Sequence, residues 1–174
     1  MRWVRFLILV MVVCLIDTTL LPLIGLRGMR PDIALIFVVF ISLNTTPTNA
    51  VPAGWLMGLA MDVYSVGPTG LNALILSLCA GFVSGAKDVV YKEHPLAQLL
   101  LTFIAAVFSN VVYLTSIVLS PDTAIGSPGG VALRMLYTVV YTSLPAPFLI
   151  LVLRSLKGWL GISGRITLEP REER

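Results

Sequence analysis

The sequence predicts an all-α integral membrane protein with six transmembrane helices and both termini in the cytoplasm. Three observations carry that prediction: the amount of apolar sequence, its division into six helix-compatible segments, and the uneven placement of Lys and Arg between them. Of the 174 residues, 57% are hydrophobic and 12% charged, against about 45–50% and about 25% in soluble globular proteins. Of 21 charged residues, 17 lie outside six apolar segments that cover about two-thirds of the chain. Too few polar residues remain to cover the surface of a soluble core. This composition excludes a soluble enzyme, a nucleic-acid module and a disulfide-stapled secreted domain.

The first segment, Phe6–Leu26, follows Arg2 and Arg5. It is longer than the roughly 7–15 residues of a signal-peptide apolar region and is followed by no A-x-A site, so it is read as a retained span. The second, Asp32–Leu43, has only 12 residues. By length alone it could be re-entrant or buried among the other helices. The third and fourth, Ala50–Val66 and Gly70–Ala86, are near the lower limit for a hydrocarbon core of about 30 Å, at a rise of about 1.5 Å per residue. The fifth and sixth, Pro95–Leu119 and Val131–Leu153, are long enough to cross.

Charge decides whether the short second segment crosses. With six crossings and Arg2 and Arg5 inside, the inner side also holds Lys87, Lys92, Arg154, Lys157, Arg165, Arg171 and Arg174. That places nine Lys/Arg inside against three outside: Arg27, Arg30 and Arg134. Without a second crossing, only Arg2, Arg5 and Arg134 stay inside. The positive-inside rule therefore selects six crossings. Residues 1–153 form a single transmembrane domain. All connections are short, and the longest, Ser120–Gly130, is a Pro/Gly-rich outer loop. The tail, 154–174, mixes Leu156, Trp159, Leu160, Ile162 and Ile166 with basic residues, a composition suited to the inner interface.

A carboxylate at the centre of a span costs roughly 2.5–3.5 kcal/mol on insertion scales, so intramembrane charges call for a physical account. In the six-span topology Asp17, Asp32, Asp62 and Arg134 gather in the outer half. Asp32, after Pro31, is placed to cap the second helix. Arg134 can snorkel to the outer interface. Asp17 precedes Thr18, Thr19 and Pro22, and is read as protonated or hydrogen-bonded to a neighbouring helix. Asp62 falls near a helix C-terminus, where the macrodipole disfavours an anion. It is assigned an interhelical or partner-binding role.

Gly54, Gly58 and Asp62 recur at i, i+4 and i+8 and share one helix face. A small-xxx-small pair lets another helix approach closely, so this face is expected to serve either internal helix packing or a partner helix. Ser65-Val66-Gly67-Pro68-Thr69-Gly70 then forms a tight outer turn, and Leu71-Asn72-Ala73 opens the fourth segment.

The run Gly54-Trp55-Leu56-Met57-Gly58-Leu59-Ala60-Met61-Asp62-Val63-Tyr64-Ser65-Val66-Gly67-Pro68-Thr69-Gly70-Leu71-Asn72-Ala73 resembles the signature of the rod shape-determining protein MreD family: G-x-x-x-G-x-x-x-D, a Gly/Pro turn, then G-h-x-A with h apolar. Arg30-Pro31-Asp32 and the apolar run after it are similar to that family's second span. Asn44–Asn49, NTTPTN, departs from the more charged loop often found there. The resemblance implies a non-enzymatic subunit of the elongasome in the bacterial cytoplasmic membrane, required for rod shape and lateral peptidoglycan synthesis. It implies association with MreC, a single-span protein with a periplasmic domain, alongside MreB, RodA and a class B penicillin-binding transpeptidase. It further implies a fold resembling the S component of energy-coupling-factor transporters. Through the motif it assigns helix-packing or partner-contact roles to Gly54, Gly58, Asp62, Gly67, Pro68 and Gly70.

The residues support a scaffold independently. His94 is the sole histidine and falls in an inner loop, so no nucleophile–base pair forms. No phosphate loop or metal-ligand spacing occurs, and no cofactor is expected. Cys14 and Cys79 are read as small apolar packers. The scaffold is expected to hold MreC, membrane lipid and a second copy of itself through helix faces, with no nucleic acid. The competing reading is an S-component-like small-molecule-binding transporter subunit, using the outer Asp17, Asp32, Asp62 and Arg134 with Tyr64, Asn72, Tyr113 and Tyr137 as liners.

Overall fold

A computed structural model describes residues 3–19, 31–65, 69–86, 95–119 and 128–155. All its regular elements are helices: α1 (Trp3–Thr19), α2 (Ile33–Asn44), α3 (Pro47–Asp62), α4 (Leu71–Ala86), α5 (Pro95–Leu119), α6 (Pro128–Ser143) and α7 (Ala146–Ser155). Two stretches of 21 residues, Leu96–Ser116 and Met135–Ser155, are long and apolar enough to cross a membrane.

Helix α2 is the centre of the bundle. Its residues Ala34 to Leu43 are buried without interruption, and it packs against every other helix. Hence the absence of a polar stripe in IALIFVVFISLN: no face of it meets solvent or lipid. The one polar side chain between Ala34 and Leu43, Ser42, turns its hydroxyl back to the Val38 carbonyl at 2.7 Å, which satisfies it locally. Phe37 stacks on Phe6 of α1 with ring centroids 6.0 Å apart and planes 14° apart. Between the two placements that length left open, the structure buries the short helix among the others.

Helix α1 is apolar on both sides. Phe6, Leu9, Val10, Val13 and Cys14 face the bundle, while Val4, Leu7, Ile8, Met11, Val12 and Leu15 face outward and are exposed. Apolar residues all round a peripheral helix suit lipid rather than water.

The sixth expected span, Val131–Leu153, is not one continuous helix. It starts at Pro128 and is interrupted at Leu144 and Pro145. Proline has no N–H to donate and its ring crowds the carbonyl four residues back. The backbone bonds nevertheless resume on either side, with Leu144 N donating to Val140 O at 3.0 Å and Leu149 N to Pro145 O at 2.9 Å. Proline is tolerated at such a point because the helices around it compensate.

Candidate functional site

Among the described elements α3 and α4 are the most extensively packed pair, and the motif residues explain why. An ideal Cβ on Gly58 would lie 2.3 Å from Ala73 Cα and 2.4 Å from Asn72 O. On Gly54 it would lie 2.6 Å from Leu76 O and 2.9 Å from Ala80 Cβ. All but Ala80 Cβ are backbone atoms, so the two helices touch main chain to main chain. Of the two uses open to this face, internal packing and a partner helix, the space over Gly54 and Gly58 is taken by the chain's own next helix, α4. Periodicity identified the close-packing face but carries no information on which helix occupies it.

Asp62 closes the same contact at its far end. Its carboxylate accepts three backbone N–H bonds: Oδ2 from Gly70 at 3.0 Å and from Ala73 at 3.1 Å, and Oδ1 from Asn72 at 3.1 Å. The first N–H groups of a helix have no intrahelical partner and carry the positive end of the macrodipole. Asp62 thus ends α3 but caps α4, which resolves the unfavourable position the sequence suggested. Asn72 Nδ2 adds a bond to Ser65 Oγ at 3.1 Å across the turn. Gly70 has φ +96°, a conformation L side chains rarely adopt. Gly67 and Pro68 lie outside the described residues.

Asp32 behaves as its position after Pro31 predicts. Its Oδ1 accepts from Leu35 N at 2.8 Å as the N-cap of α2. Its own N–H donates to Thr142 Oγ1 on α6 at 3.1 Å, tying the start of the central helix to α6. Asp17 is half-buried near the end of α1. Arg134 falls on α6, with its side chain outside the described residues, as are Pro22, Lys87, Lys92, His94 and the tail from 156 onward.

A half-open cavity of about 130 Å³ lies between these elements. Asp32, Ala34 and Leu35 of the α2 start, Met61 of α3, and Asn72, Ile75 and Leu76 of α4 line one side. Ala106, Ser109, Asn110 and Tyr113 of α5 and Thr138 and Thr142 of α6 line the other. Of the four charged residues grouped by topology, Asp32 alone is among the described lining residues. Asp62 is spent on the α4 cap. Of the four expected liners, Asn72 and Tyr113 reach the cavity, while Tyr64 and Tyr137 are exposed elsewhere. Sequence reasoning missed Ser109, Asn110, Thr138 and Thr142. Their signal was available: Ala106, Ser109, Asn110 and Tyr113 follow i, i+3, i+4, i+7, and Thr138 and Thr142 follow i, i+4, so each set shares one helix face.

Behind the cavity, Cys79 Sγ lies 3.3 Å from Ser109 Oγ and 3.7 Å from Ala105 O, joining α4 to α5. Both cysteines are free and buried. Among the described residues no group of three His, Cys, Asp or Glu is placed to hold a metal.

The Gly54–Gly58–Asp62 face and the turn that it pins belong to a longer pattern. No curated protein and no solved structure matches the chain. The family model for the rod shape-determining protein MreD matches residues 1–156, which takes in all seven helices. By that match over most of its length, the chain belongs to the MreD family of rod shape-determining membrane proteins.

Proposed function

We propose that the protein is a non-enzymatic scaffold of the elongasome that crosses the bacterial cytoplasmic membrane six times, with both termini inside, and binds MreC. In this arrangement α6 and α7 make one interrupted crossing. The nine-to-three excess of inner over outer Lys/Arg supports the orientation. The observation that carries the functional reading is the match to the family over residues 1–156. The chemistry of the motif agrees with it: Gly54, Gly58 and Asp62 are committed to fixing α3 on α4, the work of a rigid structural part. Partner contact through helix faces then falls to surfaces other than the Gly54/Gly58 face, and association with MreB, RodA and a class B transpeptidase follows through MreC.

The S-component-like reading rests on the polar cavity at the Asp32 end. Its volume of about 130 Å³ is well below the roughly 300–1,000 Å³ of sites for drug-sized ligands, which favours the scaffold over a vitamin-binding transporter subunit. Affinity purification of the C-terminally tagged chain in mild detergent, with mass spectrometry of the partners, tests the choice. Recovery of a single-span periplasmic coiled-coil protein with a wall transpeptidase is expected. Recovery of paired ATPases with a second multi-span protein overturns the scaffold.

A further inference from the structure

We propose that the cavity between α2, α4, α5 and α6 is a binding site for a small primary ammonium of the aminoalcohol kind, such as ethanolamine, either free or as a phospholipid head group. The site's chemistry is set by what its polar groups have already spent. Asp32 supplies the sole formal charge among the described lining residues. Its carboxylate takes the Leu35 N–H on Oδ1 at 2.8 Å and the Ala34 N–H besides, and with about four lone-pair sites it keeps room for further donors. Asn72 has committed one side-chain N–H to Ser65 Oγ at 3.1 Å, and Asn110 one of its own to Ala106 O at 2.8 Å. Each asparagine therefore keeps its amide oxygen and one N–H.

What remains is the Asp32 carboxylate and two amide oxygens as acceptors, with one amide N–H on each asparagine as a donor, a set whose net charge is negative. An ammonium carries three N–H donors and no acceptor, so it can meet these acceptors and its charge complements that of Asp32, while the two amide N–H groups suit the oxygen of an alcohol. An anion or an acceptor-rich group would meet the Asp32 carboxylate unscreened. The Tyr113 hydroxyl, which both donates and accepts, suits the alcohol end of the same molecule.

Size narrows the ligand further. A cavity of about 130 Å³ is close to the roughly 150 Å³ that holds benzene, six heavy atoms. That accommodates an aminoalcohol and excludes a nucleotide or a vitamin. Its half-open form leaves a way in for a head group whose tails stay in the bilayer. The site is independent of MreC binding, and loss of one leaves the other testable.

The full-length chain in detergent is titrated with ethanolamine hydrochloride, with glycerol as a neutral probe of similar size. In a second arm it is exchanged into equal phosphatidylethanolamine and phosphatidylglycerol, and retained lipid is identified by native mass spectrometry. Asp32→Asn keeps a good N-cap for α2 while removing the charge, and Asn110→Ala provides a second variant that does not touch the cap. Saturable ethanolamine binding, weakened about tenfold or more in either variant, establishes the free ligand. Selective retention of phosphatidylethanolamine that both variants lose establishes the lipid. Glycerol binding as well as ethanolamine, unchanged binding in both variants, or neither saturable binding nor lipid preference overturns the proposal.

Discussion

Asp62 Oδ2 accepts the backbone N–H of Ala73 at 3.1 Å, so the last residue of α3 and the third residue of α4 are joined directly. The same carboxylate holds Gly70 and Asn72. Three backbone donors converge on one side chain, and all three are orphan groups of a helix start.

Removing that acceptor set is expected to weaken the α3–α4 hairpin. Asp62→Ala should destabilise the protein by about 2–3 kcal/mol, combining a lost cap with unsatisfied part-buried donors. Asp62→Asn keeps one acceptor oxygen and should lose about half as much. Thermal unfolding of the purified chain in detergent measures both. Equal stability of all three proteins would disprove the capping role.

The two glycines differ in what a methyl group would strike. Gly58→Ala should destabilise more than Gly54→Ala, because its nearest neighbours at 2.3–2.5 Å are all backbone atoms of Asn72 and Ala73. Gly81 in α4 is the control, since a Cβ there meets only Val51 Cγ2 at 3.5 Å. Gly81→Ala should be neutral or stabilising by up to about 1 kcal/mol, the gain in helix propensity. The ordering of the three melting temperatures is the readout.

For Gly58→Leu, folded yield and MreC recovery should fall together. A variant that folds normally and loses MreC alone would move partner contact back to this face.

Gly70 tests conformation without sterics. Among the described residues outside its chain neighbours no atom lies within 4 Å of a Cβ placed there, yet its φ is +96°. Gly70→Ala should cost about 1–2 kcal/mol from backbone strain alone. Gly70→Asn should cost less, since asparagine tolerates positive φ better. Melting curves of the two variants, compared with the unaltered chain, decide it.

Thr142 joins helices that are 110 positions apart in sequence. Thr142→Val keeps the shape but leaves the Asp32 N–H without its acceptor, with an expected loss of about 1–2 kcal/mol. Hydrogen exchange at the start of α2 should quicken. Exchange that stays as slow as in the unaltered chain would show that α6 does not hold α2.

Much of this was legible in the sequence, and the rest was not for definable reasons. Asp32 after Pro31 announces a helix start because a cap is a local device, complete within four residues. Gly54, Gly58 and Asp62 announce a close-packed face because helical period is local too. Identifying α4 as the occupant needs a pairing, which one helix's period does not contain. The break at Pro145 was written in SLPAP, but hydropathy averages across a proline that apolar neighbours surround. The cavity was hidden because Asn110 and Thr142 become informative only when α5 and α6 are set side by side.

The burial of α2 bears on how the molecule is made. Synthesis produces this helix before α3, α4, α5, α6 and α7, five of the six neighbours that will enclose it. Phe40 and Ile41 must first lie against lipid, which an apolar surface tolerates, and later exchange lipid for protein. Because lipid is as apolar as the helices themselves, that exchange gains little from solvent aversion and depends on fit and on directional bonds. The backbone contact at Gly58, the Asp62 cap and the Thr142 tether therefore act as assembly instructions. They select one arrangement of seven greasy cylinders among many of similar cohesion.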